Sequence, residues 1–248
     1  MMTHPFLAVL ADIHGNSLAL RAVLDDAARR GADRLVNLGD TFYGPLDPGG
    51  TWDLLKDLDM PAILGNQDRV LLENGPEWAS VPTFRATMDA IGEAGLDWLR
   101  SLSPTLVMDS VLLCHGTPAN DTAYLLEDVS TGLPVPRNCE EIGKDLKAGA
   151  EGCSLVLAGH SHLQGETVCG GVTVVNPGSV GLPAYDDDTP PHAMASGSPH
   201  ARYALIYREE QGWRTEFVAV RYDWEQAAAM AARNGREDWA GWLRTGLA

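Results

Sequence analysis

Seven side chains that could bind a metal or move a proton follow short apolar runs of the chain, each close to the point where its run ends. They are the carboxylates of Asp12 and Asp40, the amide of Asn66, and the imidazoles of His14, His115, His160 and His162. Short apolar runs bounded by turn residues are typical of buried strands, and strand ends in an α/β sheet open on a shared crevice. We therefore expect these side chains to converge on one site.

The chemistry of such a site follows from its donor atoms. Carboxylate, amide and imidazole groups without a thiolate suit Mn, Fe, Zn, Ni or Co better than Ca or Mg alone. Each short motif also has a simpler interpretation, because pairs such as Gly39 and Asp40 are common in ordinary turns. However, four of the chain's seven histidines lie at these positions. The joint pattern indicates a metal centre rather than unrelated turns.

Patterns of apolar residues predict the elements that would carry these groups. In the first part of the chain we expect strands over 6–10, 34–38 and 61–64, a helix over 17–30, and a short helix over 52–58 capped by Thr51. In the middle of the chain we expect a mainly helical segment over 69–102, two strands within 105–114 and a helix over 139–148. In the last part we expect strands over 154–158 and 173–175, a hairpin of 201–207 with 213–221, and a terminal helix over 224–243. Early βαβ units followed by hairpins indicate an α/β fold of two sheets packed face to face with helices outside.

Five separated motifs occur in an order that resembles a known family. They are DxHGN at Asp12–Asn16, GD at Gly39–Asp40, GNxD at Gly65–Asp68, the single histidine His115, and GHSH at Gly159–His162. Over residues 6–180 this order closely resembles the calcineurin-like metallophosphoesterases. The Asn-Pro-Gly-Ser sequence after GHSH and the loop that contains Tyr124 look like the small prokaryotic phosphodiesterase branch of that family.

The resemblance implies a four-layer αββα sandwich of two mixed β-sheets flanked by helices, formed by a single domain over 1–248, with two divalent metal ions. In that family pattern the first ion would be held by Asp12, His14 and His162, the second by Asn66, His115 and His160, and Asp40 would bridge them. A hydroxide bridging the two ions, Mn among the candidates, would attack phosphorus. The resemblance makes Asp12, Asp40, Asn66 and His115 the catalytic residues.

Position 67 departs from the family pattern. Many members carry a histidine there, whereas this chain has Gln67 followed by Asp68. A glutamine amide can donate a hydrogen bond but cannot deliver a proton, and general acid catalysis typically contributes about 10²- to 10⁴-fold. We therefore expect an active centre with altered leaving-group demands, in which Asp68 has a supporting or structural role.

Four residues are candidates for contact with the substrate, namely Gln67, Arg69, Tyr124 and Asn120. Arg69 is also explained as a solvated surface charge, and Tyr124 as a packed core residue of the loop 117–137, which we expect near the site. Asn176 and Ser179 are expected to form a tight turn behind GHSH. The acidic run Asp186–Asp188 is expected to be solvated.

Composition restricts the partners of the protein. A net charge of −16 without a Lys/Arg cluster repels polyanions, so we expect neither a nucleic acid polymer nor a membrane as a partner. No apolar run approaches the roughly 20 residues that cross a bilayer, and the N-terminus lacks the basic segment of a signal peptide. We expect a cytoplasmic protein that acts on a small phosphate ester. The sequence leaves the oligomeric state open.

The remaining expectations concern cysteines and the last part of the chain. The four cysteines at 114, 139, 153 and 169 form no CxxC pair, which indicates reduced, mostly buried thiols. Residues 185–199 are rich in Asp, Pro, Ser and Gly and predict a mobile surface loop before the hairpin and helix of 201–248. Trp239 and Trp242 share one face of that helix. They predict docking onto the body of the protein in preference to a dimer contact.

The motifs together predict a dinuclear metal-dependent phosphoesterase that hydrolyses small phosphodiesters or nucleotides. A phosphomonoesterase or phosphoprotein phosphatase is the alternative within enzymes, and the lack of an evident basic substrate site counts against it. A non-catalytic binding protein that keeps the fold is the alternative of another class. Such a protein should show eroded ligand positions, whereas all seven are intact here.

Overall fold

Two β-sheets lie face to face at the centre of the computed structural model, which describes residues 6–32, 34–73 and 75–248. The first sheet has the order β13-β12-β1-β2, with β1 at Leu7–Leu10, β2 at Leu35–Asn37, β12 at Ala201–Glu209 and β13 at Gly212–Val220. The second has the order β3-β4-β7-β9-β8, with β3 at Thr105–Met108, β4 at Val111–Cys114, β7 at Leu155–Leu157, β8 at Gln164–Cys169 and β9 at Val172–Pro177. Both sheets combine parallel and antiparallel pairs, as expected.

Helices cover the outer faces of both sheets. They are α1 at Ser17–Arg29, α2 at Pro48–Leu55, α3 at Asn66–Glu73, α4 at Pro82–Ser101, α5 at Cys139–Leu146, α6 at Trp224–Arg233 and α7 at Glu237–Thr245, with a 3₁₀ turn at Trp78–Ser80. Helix α5 packs on the second sheet, and the others share a core with the first. The expected αββα sandwich is therefore confirmed. No helix within the described ranges is long and apolar enough to cross a membrane.

Strand β1 shows how the layers are held together. Its side chains alternate between two cores, because successive residues of a strand point to opposite faces. Leu7 and Val9 pack between the two sheets, whereas Ala8 and Leu10 pack against the helices. Each of these residues is fully buried. The strand is thereby fixed on both faces, and the loop that follows it has a rigid starting point.

Two early elements differ from the expectation. Helix α2 begins at Pro48 rather than Trp52, because the Asp47 carboxylate accepts a hydrogen bond from the Gly50 amide at 3.0 Å and caps the helix. Thr51 lies inside the helix, where its hydroxyl donates to the Asp47 carbonyl. The strand expected over 61–64 is reduced to two isolated bridges, Asn37 with Ala62 and Ile63 with Ser103.

The terminal helix expected over 224–243 is divided into α6 and α7. The division falls at Asn234 and Gly235, where Gly235 has φ of +78°, a left-handed conformation that favours glycine. The Asn234 side chain donates to the Pro45 carbonyl at 2.7 Å, which anchors the break to the body of the protein. The turn redirects α7 so that Trp239 becomes buried.

The segment expected to be a mobile loop over 185–199 contains a regular hairpin instead. Strands β10 at Ala184–Asp188 and β11 at Pro191–Ala195 pair antiparallel, with Tyr185 opposite Met194. Ala184 and Met194 are fully buried, so the hairpin is anchored by apolar contacts that its polar composition conceals. The loop 117–137 likewise contains a small ladder, β5 at Glu127–Asp128 with β6 at Val135–Pro136.

The expectation of four reduced cysteines is wrong for one pair. Cys139 begins α5 and Cys169 ends β8, and the packing of this helix on this strand brings their Cα atoms to 5.1 Å. The two cysteines form a disulfide bond. Cys114 and Cys153 are free and buried, as expected. Spacing alone gave no sign of the pair, because its members meet only through the fold.

We expect two free thiols in the denatured, unreduced protein and four after reduction. A crosslink across a sequence separation of 30 residues should stabilise the fold by about 3–4 kcal/mol through restriction of the unfolded chain. Cys139→Ser should lower the free energy of unfolding by that order and abolish its dependence on reductant. Cys153→Ser, which removes a free thiol, is the control and should retain the dependence. Four reactive thiols without reductant would contradict the crosslink.

Candidate metal centre

The ends of neighbouring strands from both sheets meet at one edge of the sandwich. Asp12 and His14 follow β1, Asp40 follows β2, His115 follows β4, His160 and His162 follow β7, and Asn66 begins α3. In each sheet the strands concerned are adjacent and parallel, so their carboxyl ends point the same way. All seven residues singled out in the sequence are thus brought together. Of these, Asp12, His14, Asp40, His115 and His162 are at most 3 % exposed.

The backbone at these positions is held in an unusual conformation. Among the described residues, left-handed φ values on non-glycine residues occur at Asp12 (54°), His14 (51°), Asp40 (53°), His160 (70°) and His162 (61°), and otherwise at Asp109 (54°). Each such residue costs free energy and persists where the surroundings fix it, which is common at functional sites. The strain is therefore concentrated in the loops that carry the candidate ligands.

Two glycines of the motifs permit the close approach of these loops. A Cβ atom at Gly65 would overlap the backbone nitrogen and the carboxylate of Asp40, and one at Gly39 would overlap the backbone of Gly65. Gly39 also has φ of +94°. The glycines in GD and GNxD thus allow the second and third motifs to pack backbone to backbone. The backbone N–H of Gln67 donates to Asp40 Oδ1 at 2.8 Å.

Hydrogen bonds to backbone carbonyls orient two of the imidazoles. The Nδ1–H of His14 donates to the Tyr43 carbonyl at 3.0 Å, and the Nδ1–H of His162 donates to the Leu182 carbonyl at 2.7 Å. Since a carbonyl only accepts, the Nε2 atom of each neutral ring carries a lone pair. These two Nε2 atoms face each other at 3.1 Å. A cation between them would convert this repulsion into coordination.

The imidazole of His115 is arranged in the same way. Its Nδ1–H donates to the Leu38 carbonyl at 2.8 Å, which turns Nε2 toward oxygen acceptors. Nε2 lies 3.0 Å from Asn66 Oδ1, 3.5 Å from Asp40 Oδ2 and 3.9 Å from Asp12 Oδ1. Three oxygen acceptors therefore surround the Nε2 atom of His115, which must either carry a proton or bind a cation.

Asp12 lies between the two sets of acceptors. Its Oδ2 accepts from the His160 amide at 3.1 Å, whereas its buried Oδ1 has no hydrogen-bond partner. The carboxylate belongs to two groups whose ligand atoms lie within 4.8 Å of one another, one with His14 and His162 and one with Asp40 and His115. An unpartnered buried carboxylate oxygen is costly. The donor set and its geometry therefore fit divalent cations.

The charges within the centre are strongly perturbed. Burial, together with a neighbouring imidazole, lowers the pKa of His14 and of His160 to about 4, so both rings are neutral and suited to coordination. Burial disfavours the charged form of His115 as well, but Asp40 and Asp12 outweigh it and raise the pKa of His115 to about 10. Burial would also raise the pKa of Asp40, yet His115 holds that pKa well below its usual range. In the absence of other cations the proton on His115 supplies the positive charge.

Several polar residues support the ligand loops from behind. Asp68 is fully buried and accepts from the amides of Thr41 and Gly65 at 3.0 and 3.2 Å. The Asn176 side chain donates to the Gly159 carbonyl at 2.7 Å, and the Ser179 hydroxyl donates to the Asp12 carbonyl at 2.8 Å. The turn behind GHSH therefore fixes the backbone of the first and last motifs.

The hairpin of β10 and β11 packs over the histidines of the last motif. The ring of Tyr124 stacks on His160, with centroids 4.8 Å apart, and its hydroxyl donates to His192 Nε2 at 2.8 Å. His192 can accept there because its Nδ1–H donates to the Pro190 carbonyl. Tyr185 packs edge-on against His162 and donates to the His160 carbonyl at 3.0 Å. These contacts fix both imidazoles.

A cavity of about 280 Å³ opens over the centre. It is lined by His14, Asp40, Tyr43, Asn66, Gln67, His160, His162, Leu182, Tyr185, Asp186, Asp187, Arg236, Asp238, Trp239 and Trp242. Of the four candidate substrate contacts, Gln67 lies in this wall with a buried, unpartnered Oε1 atom. The wall also contains residues that the sequence did not single out for the site, above all Tyr185 and the side chains of α7.

The other candidate substrate contacts lie elsewhere. Tyr124 is behind His160 rather than in the cavity wall. Arg69 forms a two-pronged ion pair with Asp121, at 2.7 and 3.1 Å, and a further one with Glu73. Asn120 is exposed and accepts from Thr122 in its own loop. The structure therefore brings neither Arg69 nor Asn120 to the cavity.

Known proteins resemble this chain over most of its length. The calcineurin-like phosphoesterase superfamily domain matches residues 6–196. An uncharacterised protein of Methanocaldococcus jannaschii is 27 % identical over 97 % of both chains. A metallophosphoesterase from Sphaerobacter thermophilus superposes with a TM-score of 0.74 at 22 % identity, and a hypothetical protein from Pyrococcus horikoshii with 0.71 at 20 %, each over 97 % of this chain and 98 % of the other.

The chain shares its fold with these two solved structures, and its histidines and carboxylates form groups that could hold a metal ion. The chain belongs to the calcineurin-like phosphoesterase superfamily. Its members act on phosphate esters and use divalent metals. The match ends at residue 196, so it includes the hairpin of β10 and β11 but not α7.

We expect divalent ions to stabilise the protein through these ligands. Mn²⁺ at about 100 times its dissociation constant should add about 2.7 kcal/mol, which raises the Tm of a protein of this size by roughly 5–10 °C. His14→Ala should remove much of this gain in thermal denaturation with and without chelator. His200→Ala is the matched control, because that imidazole lies near Ser198 Oγ and outside the centre. An equal loss of the gain in both variants would argue against the site.

Proposed function

We propose that this protein is a dinuclear metal-dependent phosphodiesterase that hydrolyses small phosphodiesters. The observation that carries the proposal is the convergence of lone pairs at the centre. His14, His162 and His115 each use Nδ1–H on a backbone carbonyl, and each directs Nε2 at another acceptor within 3.1 Å. The facing lone pairs of His14 and His162 are suited to binding a cation and poorly suited to a structural hydrogen-bond network. The Nε2 atom of His115 must likewise either keep a proton or bind a cation beside Asn66 and Asp40.

The proposed ligand assignment follows the family pattern, and the two overlapping groups contain five of its seven residues. We assign Asp12, His14 and His162 to the first ion, Asn66, His115 and His160 to the second, and Asp40 to the bridge. Asp12 Oδ1 is 3.4 Å from His162 Nε2 and 3.9 Å from His115 Nε2, so this carboxylate also lies between the two positions. The donor set contains no thiolate and suits Mn, Fe, Zn, Ni or Co.

Different residues of the centre have different roles in the proposed hydrolysis. Divalent ions bound here would supply an acidic water as nucleophile and positive charge for the phosphoryl oxygens. Asp12 and Asp40 provide the negative charge that retains the ions, and Asn66 contributes an oxygen without further charge. The backbone contacts behind His14, His115 and His162 keep the rings aligned, so that no reorganisation is needed during the reaction.

Leaving-group departure is the step for which the centre lacks an evident acid. Gln67 lies in the cavity wall at the position where many relatives have histidine, and its amide cannot deliver a proton. Its Oε1 atom is buried and has no hydrogen-bond partner. Esters whose alcohol leaves readily as an anion are therefore the favoured substrates.

The alternatives make different demands on the cavity. A phosphomonoesterase or phosphoprotein phosphatase must bind a doubly charged phosphate, yet Arg236 is the single Lys or Arg among the described residues of the cavity wall, and it is paired with Asp238. A non-catalytic binding protein has no need of a centre with unpartnered buried acceptors. Metal analysis followed by a hydrolysis panel of monoesters and diesters, with Mn, Ni, Co, Zn or Mg added back, separates the three.

We expect Asp40→Asn to abolish metal occupancy and activity together. Loss of the bridging charge leaves two cations repelling each other across a neutral amide, so elemental analysis should show fewer than two ions and turnover should fall by about 10²-fold or more. Asp53→Asn, at an exposed carboxylate paired with Lys56, is the control. A variant of Asp40 with two ions and full turnover would refute the bridging role.

Gln67→His should reduce the dependence of the rate on the leaving group. We expect the wild-type protein to hydrolyse esters of acidic phenols far faster than alkyl esters, and the variant to raise alkyl-ester turnover by up to about 10²-fold. Each Asp68 oxygen accepts one backbone hydrogen bond and retains capacity to orient the new ring. Metal content should not change. Equal wild-type rates on alkyl and aryl esters, with chemistry rate-limiting, would overturn this explanation.

A further inference from the structure

The outer part of the cavity is built by elements that carry none of the candidate ligands. Helix α7 and its preceding residue contribute Arg236, Asp238, Trp239 and Trp242, and β10 contributes Tyr185, Asp186 and Asp187. The ligand side chains form the buried floor of the cavity, whereas Asp186 and Asp187 are exposed at its mouth. A substrate whose phosphate sits on the floor must place its ester group against this wall.

The wall is acidic despite the arginine within it. Arg236 donates to both oxygens of Asp238, at 2.6 to 3.1 Å, and its guanidinium lies 5.2 Å from the centre of the Trp239 ring. Its charge is therefore already engaged. Asp186 and Asp187 have no ion-pair partner within the described part of the chain, and Asp187 accepts only a backbone hydrogen bond from Thr189. The wall keeps an excess of two negative charges.

The same wall is also aromatic. Trp239 is buried and lies nearly perpendicular to the His14 ring, with centroids 5.7 Å apart and an interplanar angle of 87°. Trp242 is half-buried beside it, with ring centroids 6.3 Å apart. Tyr43 and Tyr185 complete the aromatic lining. Aromatic rings offer flat surfaces for other rings and a negative face for cations. Next to free carboxylates, such a surface favours neutral or cationic groups and disfavours anionic ones.

We propose that this wall makes the enzyme selective for phosphodiesters that carry a single negative charge and a flat, neutral or cationic ester group. The inference rests on the proposed phosphodiesterase function and names its substrate class. Cations held by the candidate ligands at the floor would supply positive charge for one phosphate. A second phosphate, or the additional negative charge of a phosphomonoester, is repelled by the carboxylates of Asp186 and Asp187. Nucleoside polyphosphates and phosphomonoesters are therefore poor substrates.

Three esters with one leaving group test the proposal. The probes are p-nitrophenyl phosphorylcholine, bis(p-nitrophenyl) phosphate and p-nitrophenyl phosphate, which carry at pH 8 a net charge of zero, minus one and minus two. Each probe releases the same nitrophenolate, so the probes differ only in the part of the ester that stays on the phosphate. The ratio of variant to wild-type kcat/KM, compared between probes, therefore reports the effect of the charge of that part. The Mn²⁺-loaded full-length protein is used throughout.

In the double variant Asp186→Asn, Asp187→Asn, kcat/KM for p-nitrophenyl phosphate should rise by about 3- to 10-fold relative to kcat/KM for p-nitrophenyl phosphorylcholine at low salt. This increase should become smaller as ionic strength rises. Glu210→Gln is the control for loss of charge. Glu210 follows the last residue of β12, whereas the first residues of that strand contact Ser179 behind the metal centre. The length of the strand therefore places Glu210 roughly 30 Å from the centre. This variant should leave the order of the probes unchanged.

Trp242→Ala supplies an independent readout. It should raise KM for bis(p-nitrophenyl) phosphate by several-fold with little effect on p-nitrophenyl phosphate, because only the diester keeps an aromatic ring on the part that remains. An equal change in KM for both probes would contradict the aromatic contact. Unchanged probe ratios in the aspartate variants would overturn the proposed selectivity while hydrolysis of the diester still supports the function. Absence of hydrolysis of both diesters by the metal-loaded wild-type protein would instead overturn the phosphodiesterase function itself.

Discussion

The arrangement of this centre depends on one constraint: its inward-facing atoms are almost all hydrogen-bond acceptors. Three imidazoles give their Nδ1 protons to carbonyls of Tyr43, Leu38 and Leu182, so that their remaining nitrogens face oxygens or one another. Buried acceptors without donors are unfavourable unless a cation joins them. The strained loops, the close glycine contact and the perturbed pKa values are all consequences of holding such atoms together.

The surrounding structure resists this repulsion through contacts between distant parts of the sequence. Ser179 holds the carbonyl of Asp12, Asn176 holds the carbonyl of Gly159, and Tyr124 covers the ring of His160. Strands from both sheets share a core immediately below. The candidate ligands are thereby held in place by contacts that do not depend on the site itself. The packing that stabilises the fold therefore also fixes the positions of the candidate ligands.

The parts that could be predicted from the sequence are those encoded locally. Short apolar runs ending in polar residues place Asp12, Asp40, His115 and His160 at strand ends, and the order of the motifs identifies the family. The hairpin over Ala184–Ala195 was not predictable, because its Asp and Pro content indicates a loop while its anchors, Ala184 and Met194, are isolated apolar residues. The Cys139–Cys169 bond depends on how α5 packs against β8, a long-range contact that spacing does not encode. The division of the terminal helix did have a local signal in Asn234-Gly235.

The break at Gly235 has a consequence for how proteins of this kind diversify. The ligands all lie within residues 12–162, whereas α7 is a short terminal segment that joins the site through a single turn. Substitutions in this segment can alter what the cavity admits without disturbing the loops that carry the candidate ligands. The chemistry and the choice of substrate can therefore change independently in a fold of this kind.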